Sequence, residues 1–127
     1  FPADLRFDRI WAFSVLIHLT DELLERTLRM VSERLAADGA FYANVNLGER
    51  PELQWERFPV VTRQLAFYRA AAARHGLSVD AVGTLAELGE RSGAGGEQVM
   101  LRFTRDDGSG PAVGAGDRAA RNGGTAV

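Results

Sequence analysis

From Arg9 to Val15 the chain alternates two sets of side chains, Ile10, Ala12 and Ser14 against Trp11, Phe13 and Val15. Both sets are largely apolar, so the pattern predicts a strand buried on both faces, as inside a parallel sheet covered by helices. Leu24, Leu28, Val31 and Leu35 then recur at helical spacing opposite Glu25, Arg29 and Ser32, which predicts an amphipathic helix lying on that sheet. Thr20 supplies the N-cap, and Asp21 with Glu22 an acidic first turn. Gly39, after Asp38, is expected to take the left-handed position that ends the helix, and Ala40 to Val45 reads as the next strand. A strand, a crossover helix and a strand in succession make a right-handed parallel unit.

The pattern then changes. Leu47 to Pro59 is polar, holds Pro51 and Pro59, and carries an isolated Trp55 and Phe58; it reads as a loop long enough to be functional. Val61, Leu65, Tyr68 and Ala72 mark a second helix, closed by His75 and Gly76, and Leu77 to Val82 has the alternation of a strand. Gly93, Gly95 and Gly96 gather in a turn. Beyond it Val99, Leu101 and Phe103 alternate with Gln98, Arg102 and Thr104, so the last two strands are expected to form an antiparallel return. From Asp106 to Val127 large apolar residues give way to Gly, Ala, Asp and Arg. The domain is therefore expected to occupy residues 1–105, and residues 106–127 to form a disordered tail that cannot offset its ordering entropy.

At 127 residues and 46% hydrophobic content the sequence has room for one modest core. There is no Cys, which removes disulfides, thiolate catalysis and Cys-ligated metals, and is in keeping with a cytoplasmic enzyme; no metal site is expected. All fifteen basic residues are Arg, so Schiff-base and Lys-base mechanisms are closed to this stretch. A formal net charge of -2 with arginines scattered among carboxylates gives no basic stripe for a nucleic acid. No apolar run approaches the roughly 20 residues of a spanning helix, so no membrane partner is expected. Phe1 opens no charged leader with an apolar run behind it; a signal peptide is not expected, and the natural start is taken to lie upstream.

The wording of the first strand-helix-strand unit resembles one family. FDRIWAFSVLIHL has an Asp-containing strand ending in a small residue and Ser, followed by His-Leu; LAADG precedes the next strand, and HGLSVDAVG the one after. In this wording the chain is similar to the second half of class I S-adenosylmethionine (SAM) dependent methyltransferases over most of Phe7 to Arg105. The resemblance implies the C-terminal half of a Rossmann-like, doubly wound α/β sheet, with strands equivalent to the fourth to seventh of that fold and the last running antiparallel beside the fifth. The glycine-rich loop and the acidic residue with which the family grips SAM have no counterpart. The chain is therefore expected to need a missing N-terminal half, and to be inactive in isolation.

Ligands of open α/β sheets sit beyond the carboxyl ends of the strands. By the resemblance, Ala12, Phe13 and Ser14 would form part of the wall around the methionine portion of SAM; read without it, Phe13 is core and Ser14 a capped strand end. His18 is suited to act as general base for an oxygen or nitrogen nucleophile, or else to brace the loop into the helix. Tyr42, Asn44 and Asn46 alternate along the second strand and its exit, with Trp55 and Phe58 in the loop after it. Aromatic anchors and a few amides suit a pocket for a small-molecule methyl acceptor, although core packing explains Tyr42 equally well. Gly114 to Ala119 satisfies the glycine spacing of a dinucleotide fingerprint, but lacks the strand before and the helix after that the motif needs. The implied function is methyl transfer to a small molecule. Two alternatives stand beside it: a non-catalytic binding or assembly half-domain, and another Rossmann-type enzyme such as a nicotinamide-dependent reductase, which the absence of Lys disfavours.

Overall fold

The computed structural model describes residues 1–106. The strands are β1 (Phe7–Ala12), β2 (Leu35–Leu47), β3 (Leu53–Trp55), β4 (Phe58–Val60), β5 (Thr62–Arg63), β6 (Leu77–Thr84) and β7 (Val99–Arg105), and the helices α1 (Asp21–Arg34) and α2 (Leu65–Ala73). The main sheet runs β1-β2-β7-β6, with β5 added parallel to β2. β1 and β2 are parallel, while β7 is antiparallel to both its neighbours; β6 therefore runs with β1 and β2. This is the mixed sheet with one reversed strand, inserted beside β2, that the sequence predicts. The expected tail lies, beyond Asp106, outside the described residues, as does the Gly114 to Ala119 stretch.

Both crossovers, β1-α1-β2 and β2-α2-β6, step the same way along the sheet. Right-handed connections then place both helices on one face. That face holds the core: Phe41, Ala43 and Val45 of β2, Leu101 and Phe103 of β7, and Leu77 and Val79 of β6 pack against Leu24, Leu28 and Val31 of α1 and Tyr68, Ala71 and Ala72 of α2. The consequence corrects one expectation. β1 is not buried on both faces: Trp11 is 63% and Phe13 59% exposed, because among the described residues no helix covers the second face. There Trp11 stacks on Tyr42 with ring centroids 4.4 Å apart.

Thr20 caps α1 as predicted, its Oγ1 accepting from Leu23 N. The other end differs. α1 stops at Arg34 and Leu35 is already extended, so Leu35 enters the core as the first residue of β2. Gly39 does not take a positive φ; a Cβ there would lie 2.9 Å from the Phe7 carbonyl oxygen and 2.9 Å from Leu35 Cδ1. Gly39 is needed for close approach at an irregularity where β1 moves from Phe7 to Arg9 while its partner moves from Leu35 to Ala40. Gly76 does adopt the left-handed conformation, φ +67°, and closes the turn after α2.

One face of α1 is tied to the turn that follows α2. Glu25 Oε1 accepts from Arg74 and Glu25 Oε2 from His75 Nε2, the latter at 2.6 Å, while Ser32 Oγ donates to the His75 carbonyl at 2.7 Å. The Arg74 and then the His75 hydrogen bonds hold the Glu25 carboxyl below its ordinary value of 4.5. A lowered folded-state pKa contributes stability that is present above the unfolded value and lost as pH falls through the folded one. Urea midpoints measured across pH 5 to 3 should therefore fall less steeply in Glu25→Gln than in the unaltered chain. Parallel slopes would remove Glu25 from the acid response.

Candidate active site

β1, β2 and β6 point the same way, and the segments that follow their carboxyl ends converge on one cleft of about 940 Å³. After β1 come Phe13, Ser14 and a short 3-10 turn, Leu16–His18; after β2, the hairpin of β3 and β4; after β6, the connection carrying Leu85, Glu90, Ser92 and Gln98. The fold places these groups where open α/β sheets bind ligands.

The β1 wall is built on a strained residue. Ser14 has φ +56°, a left-handed conformation unfavourable for any residue with a Cβ. Asn44 holds it there. Its Oδ1 accepts from Ser14 N at 2.7 Å and its Nδ2 donates to Gln98 Oε1 at 2.6 Å, and the side chain is fully buried. A buried amide with both ends satisfied is specified tightly. It fixes the β1 exit against the connection into β7.

The 3-10 turn is anchored by Leu16 and Ile17, both buried, and Ile17 O accepts from Val61 N at 2.9 Å. His18 lies 2.8 Å from the Pro59 carbonyl through Nδ1. A carbonyl only accepts, so Nδ1 carries a hydrogen, and in the neutral ring Nε2 keeps the lone pair. The imidazole stacks with Trp55 at 5.8 Å and contacts Phe58 at 5.9 Å. These two aromatics belong to a β-hairpin where the sequence predicted loop. Trp55 pairs with Phe58 across Glu56 and Arg57, and Glu56 takes φ +53° at the turn. No Asn-Gly or Asp-Gly pair announces this hairpin.

Behind the cleft, Arg63 is buried and donates to Asp21 Oδ1 through Nε and Nη2, and to the Leu19 carbonyl at 2.7 Å. It lies over the Phe67 ring at 5.1 Å. Arg63 thus ties β5 and α2 to the start of α1, directly after His18. Burial pushes the neighbouring Tyr68 phenol above its ordinary value, with Arg63 acting in the opposite direction.

Of the residues singled out from sequence, Phe13, Ser14, His18, Trp55 and Phe58 line the cleft. Ala12 ends β1 and packs against the core. Asn44 sits behind the wall as its support, Asn46 donates to the Val61 carbonyl, and Tyr42 lies on the second face with Trp11. Sequence reasoning did not single out Glu90, Ser92 or Gln98. The glycine-rich segment around them was legible as a turn, and its place after the carboxyl end of β6 was the available signal. No cluster of His, Asp and Glu able to hold a metal is present among the described residues.

No protein-family model matches the chain, and no curated protein matches it. Solved structures do. The glycopeptide N-methyltransferase MtfA, complexed with sinefungin, superposes with a TM-score of 0.60 at 15% identity, over 83% of this chain and 60% of that one. The DhpI-SAH complex matches with a TM-score of 0.56 at 16% identity, over 85% and 50%. A TehB-like SAM-dependent methyltransferase from Corynebacterium glutamicum gives 0.54 at 21% identity, over 82% and 50%. The fold is therefore part of the Rossmann-like fold of SAM-dependent methyltransferases. The chain spans about half the length of these proteins.

Proposed function

We propose that this chain is the acceptor-side part of a SAM-dependent methyltransferase acting on a small molecule, and that it works together with an N-terminal half carrying the main cofactor contacts. The observation that carries this reading is the meeting of the strained Phe13-Ser14 turn with His18, Trp55 and Phe58 in one cleft, on a fold shared with methyltransferases. The described residues suit SAM in part. Phe13 and Ser14 stand exposed at the end of β1, offering a wall for the methionine portion, but among the described residues no glycine-rich turn leads from a strand into a helix to hold the rest. When bound, SAM supplies an activated methyl group on a sulfonium.

What this chain contributes is placement and a proton acceptor. Trp55 and Phe58 hold the acceptor against the β1 wall, and much of the rate in such transfers comes from holding the reacting atoms in line. His18 Nε2, with its lone pair free while Nδ1 is engaged by Pro59, takes the proton that an attacking hydroxyl or amine must lose. The exposed second face, with Trp11 over Tyr42, supports the partner-half requirement. It equally favours a non-catalytic half-domain that assembles with another subunit.

Calorimetric titration of SAM separates the two. The 127-residue chain is expected to bind SAM weakly or not at all, and co-production with the upstream half to restore binding that Ser14→Val weakens. In that active form, His18→Ala should lower kcat by about a hundredfold or more if His18 accepts the proton, with the melting temperature little changed. Tight SAM binding by this chain alone would displace the proposed cofactor wall. Absence of SAM binding by the paired halves would leave the assembly reading.

A further inference from the structure

Resting on the reading of the cleft as the acceptor site, we infer that its ligand is a planar aromatic molecule that is neutral or carries a basic amine, and that anionic acceptors are rejected. The cleft is rich in flat apolar surface. Trp55 and Phe58 remain 57% and 53% exposed although both contact His18, and Phe13 adds a third exposed ring. Unsatisfied aromatic surface of this kind is completed by another flat ring.

Charge decides the rest. The chain has fifteen arginines, yet among the described residues none lines the cleft, whereas Glu90 does. Hydrogen bonds from Ser92 hold the Glu90 carboxyl below its ordinary range, so the wall stays negative at neutral pH. A carboxylate or phosphate entering here would lose hydration without meeting a cation and would face a like charge. An ammonium group would meet a carboxylate and the faces of aromatic rings, both attractive. Gln98, Ser92 and His18 remain as polar groups for orientation.

The aromatic rings and Glu90 that carry the inference all belong to this chain, so it can be tested without cofactor. Tryptamine and indole-3-acetate share one ring and carry opposite charges; 2-cyclohexylethylamine keeps the amine and lacks the aromatic ring. Titration of the 127-residue chain with each, followed through the indole N–H resonances of Trp55 and Trp11, should show tryptamine moving Trp55. Its preference over indole-3-acetate is expected to be about tenfold, the scale of a reversed contact charge at a partly exposed site. Glu90→Gln should bring the two indoles toward parity, Trp55→Ala should abolish tryptamine binding while amide dispersion shows an intact fold, and 2-cyclohexylethylamine should bind more weakly than tryptamine.

Equal or tighter binding of indole-3-acetate, a preference unchanged in Glu90→Gln, shifts confined to Trp11, or no binding by the folded chain would each overturn the inference. Failure of methyl transfer in the paired halves would leave these results standing. Methylation of a carboxylate-bearing acceptor at this cleft would do the reverse.

Discussion

Asn44→Ala is expected to destabilise the chain by about 2–3 kcal/mol, the scale of leaving buried hydrogen-bonding partners unmet. For a domain of this size that lowers the melting temperature by about 10–20 °C. The replacement removes the acceptor for Ser14 N and the donor to Gln98 Oε1 in a side chain with no solvent exposure. It also frees Ser14 from a conformation that persists because its surroundings hold it. Asn44→Asp keeps an acceptor for Ser14 but gives up the amide donor, and should lose an intermediate amount. Thermal melts with hydrogen exchange at the Ser14 amide distinguish the cases. An unchanged melt in Asn44→Ala, with Ser14 still protected, would show that the turn is held by something else.

Two aromatic replacements on opposite faces of the sheet should differ more sharply. Phe41→Ala is expected to cost about 4 kcal/mol, because Phe41 is buried to 1% exposure and packs on Phe103 at 5.2 Å. Trp11→Ala, one residue along in register on β1, should cost under about 1.5 kcal/mol, the value of an aromatic pair beyond its buried area. Denaturant midpoints measure both. A larger loss at Trp11 than at Phe41 would place the core on the wrong face, and would mean that the second face is covered in solution.

The same contrast shows what the sequence could reveal. Helical spacing of Leu24, Leu28 and Val31 identified the buried stripe of α1, and Thr20 its cap, because both are local physics. Leu35 fitted the spacing too, yet it belongs to β2: an apolar residue that follows a helix keeps the period whether or not the helix continues. Trp11 and Phe13 were correctly placed on or beside a strand, but periodicity reports that a face is apolar and not what covers it. The hairpin from Leu53 to Val60 was hidden because its turn uses Glu56 and Arg57, residues without a turn signature.

The candidate site was legible to the same depth. Residue type and position after a strand picked out Ser14, His18, Trp55 and Phe58. Their meeting depends on a fold that brings Pro59 to His18 across 41 positions. Asn44 was noticed as a poor core choice, which is sound, but its partner is the backbone of Ser14, 30 positions away; an amide side chain carries no signal of whether it faces a ligand or a turn. Tyr42 shares a face of β2 with Asn44, because residues two apart on a strand point the same way, but it lies two positions earlier and meets Trp11 instead of the β1 exit.

The placement of β7 has a consequence for how the chain is made. β7 is the last described strand to be synthesised, yet it occupies the interior of the sheet between β2 and β6. Until Val99–Arg105 has left the ribosome, β2 and β6 have no common neighbour, and each exposes a row of unpaired backbone groups. Synthesis proceeds at about 5–20 residues per second, so that gap lasts for seconds after α2 and β6 have emerged. Nascent chains are therefore most vulnerable to association before Val99–Arg105 emerges, and a chain stalled ahead of Val99 would carry the β1-β2 pair and the lone strand β6 with nothing to join them.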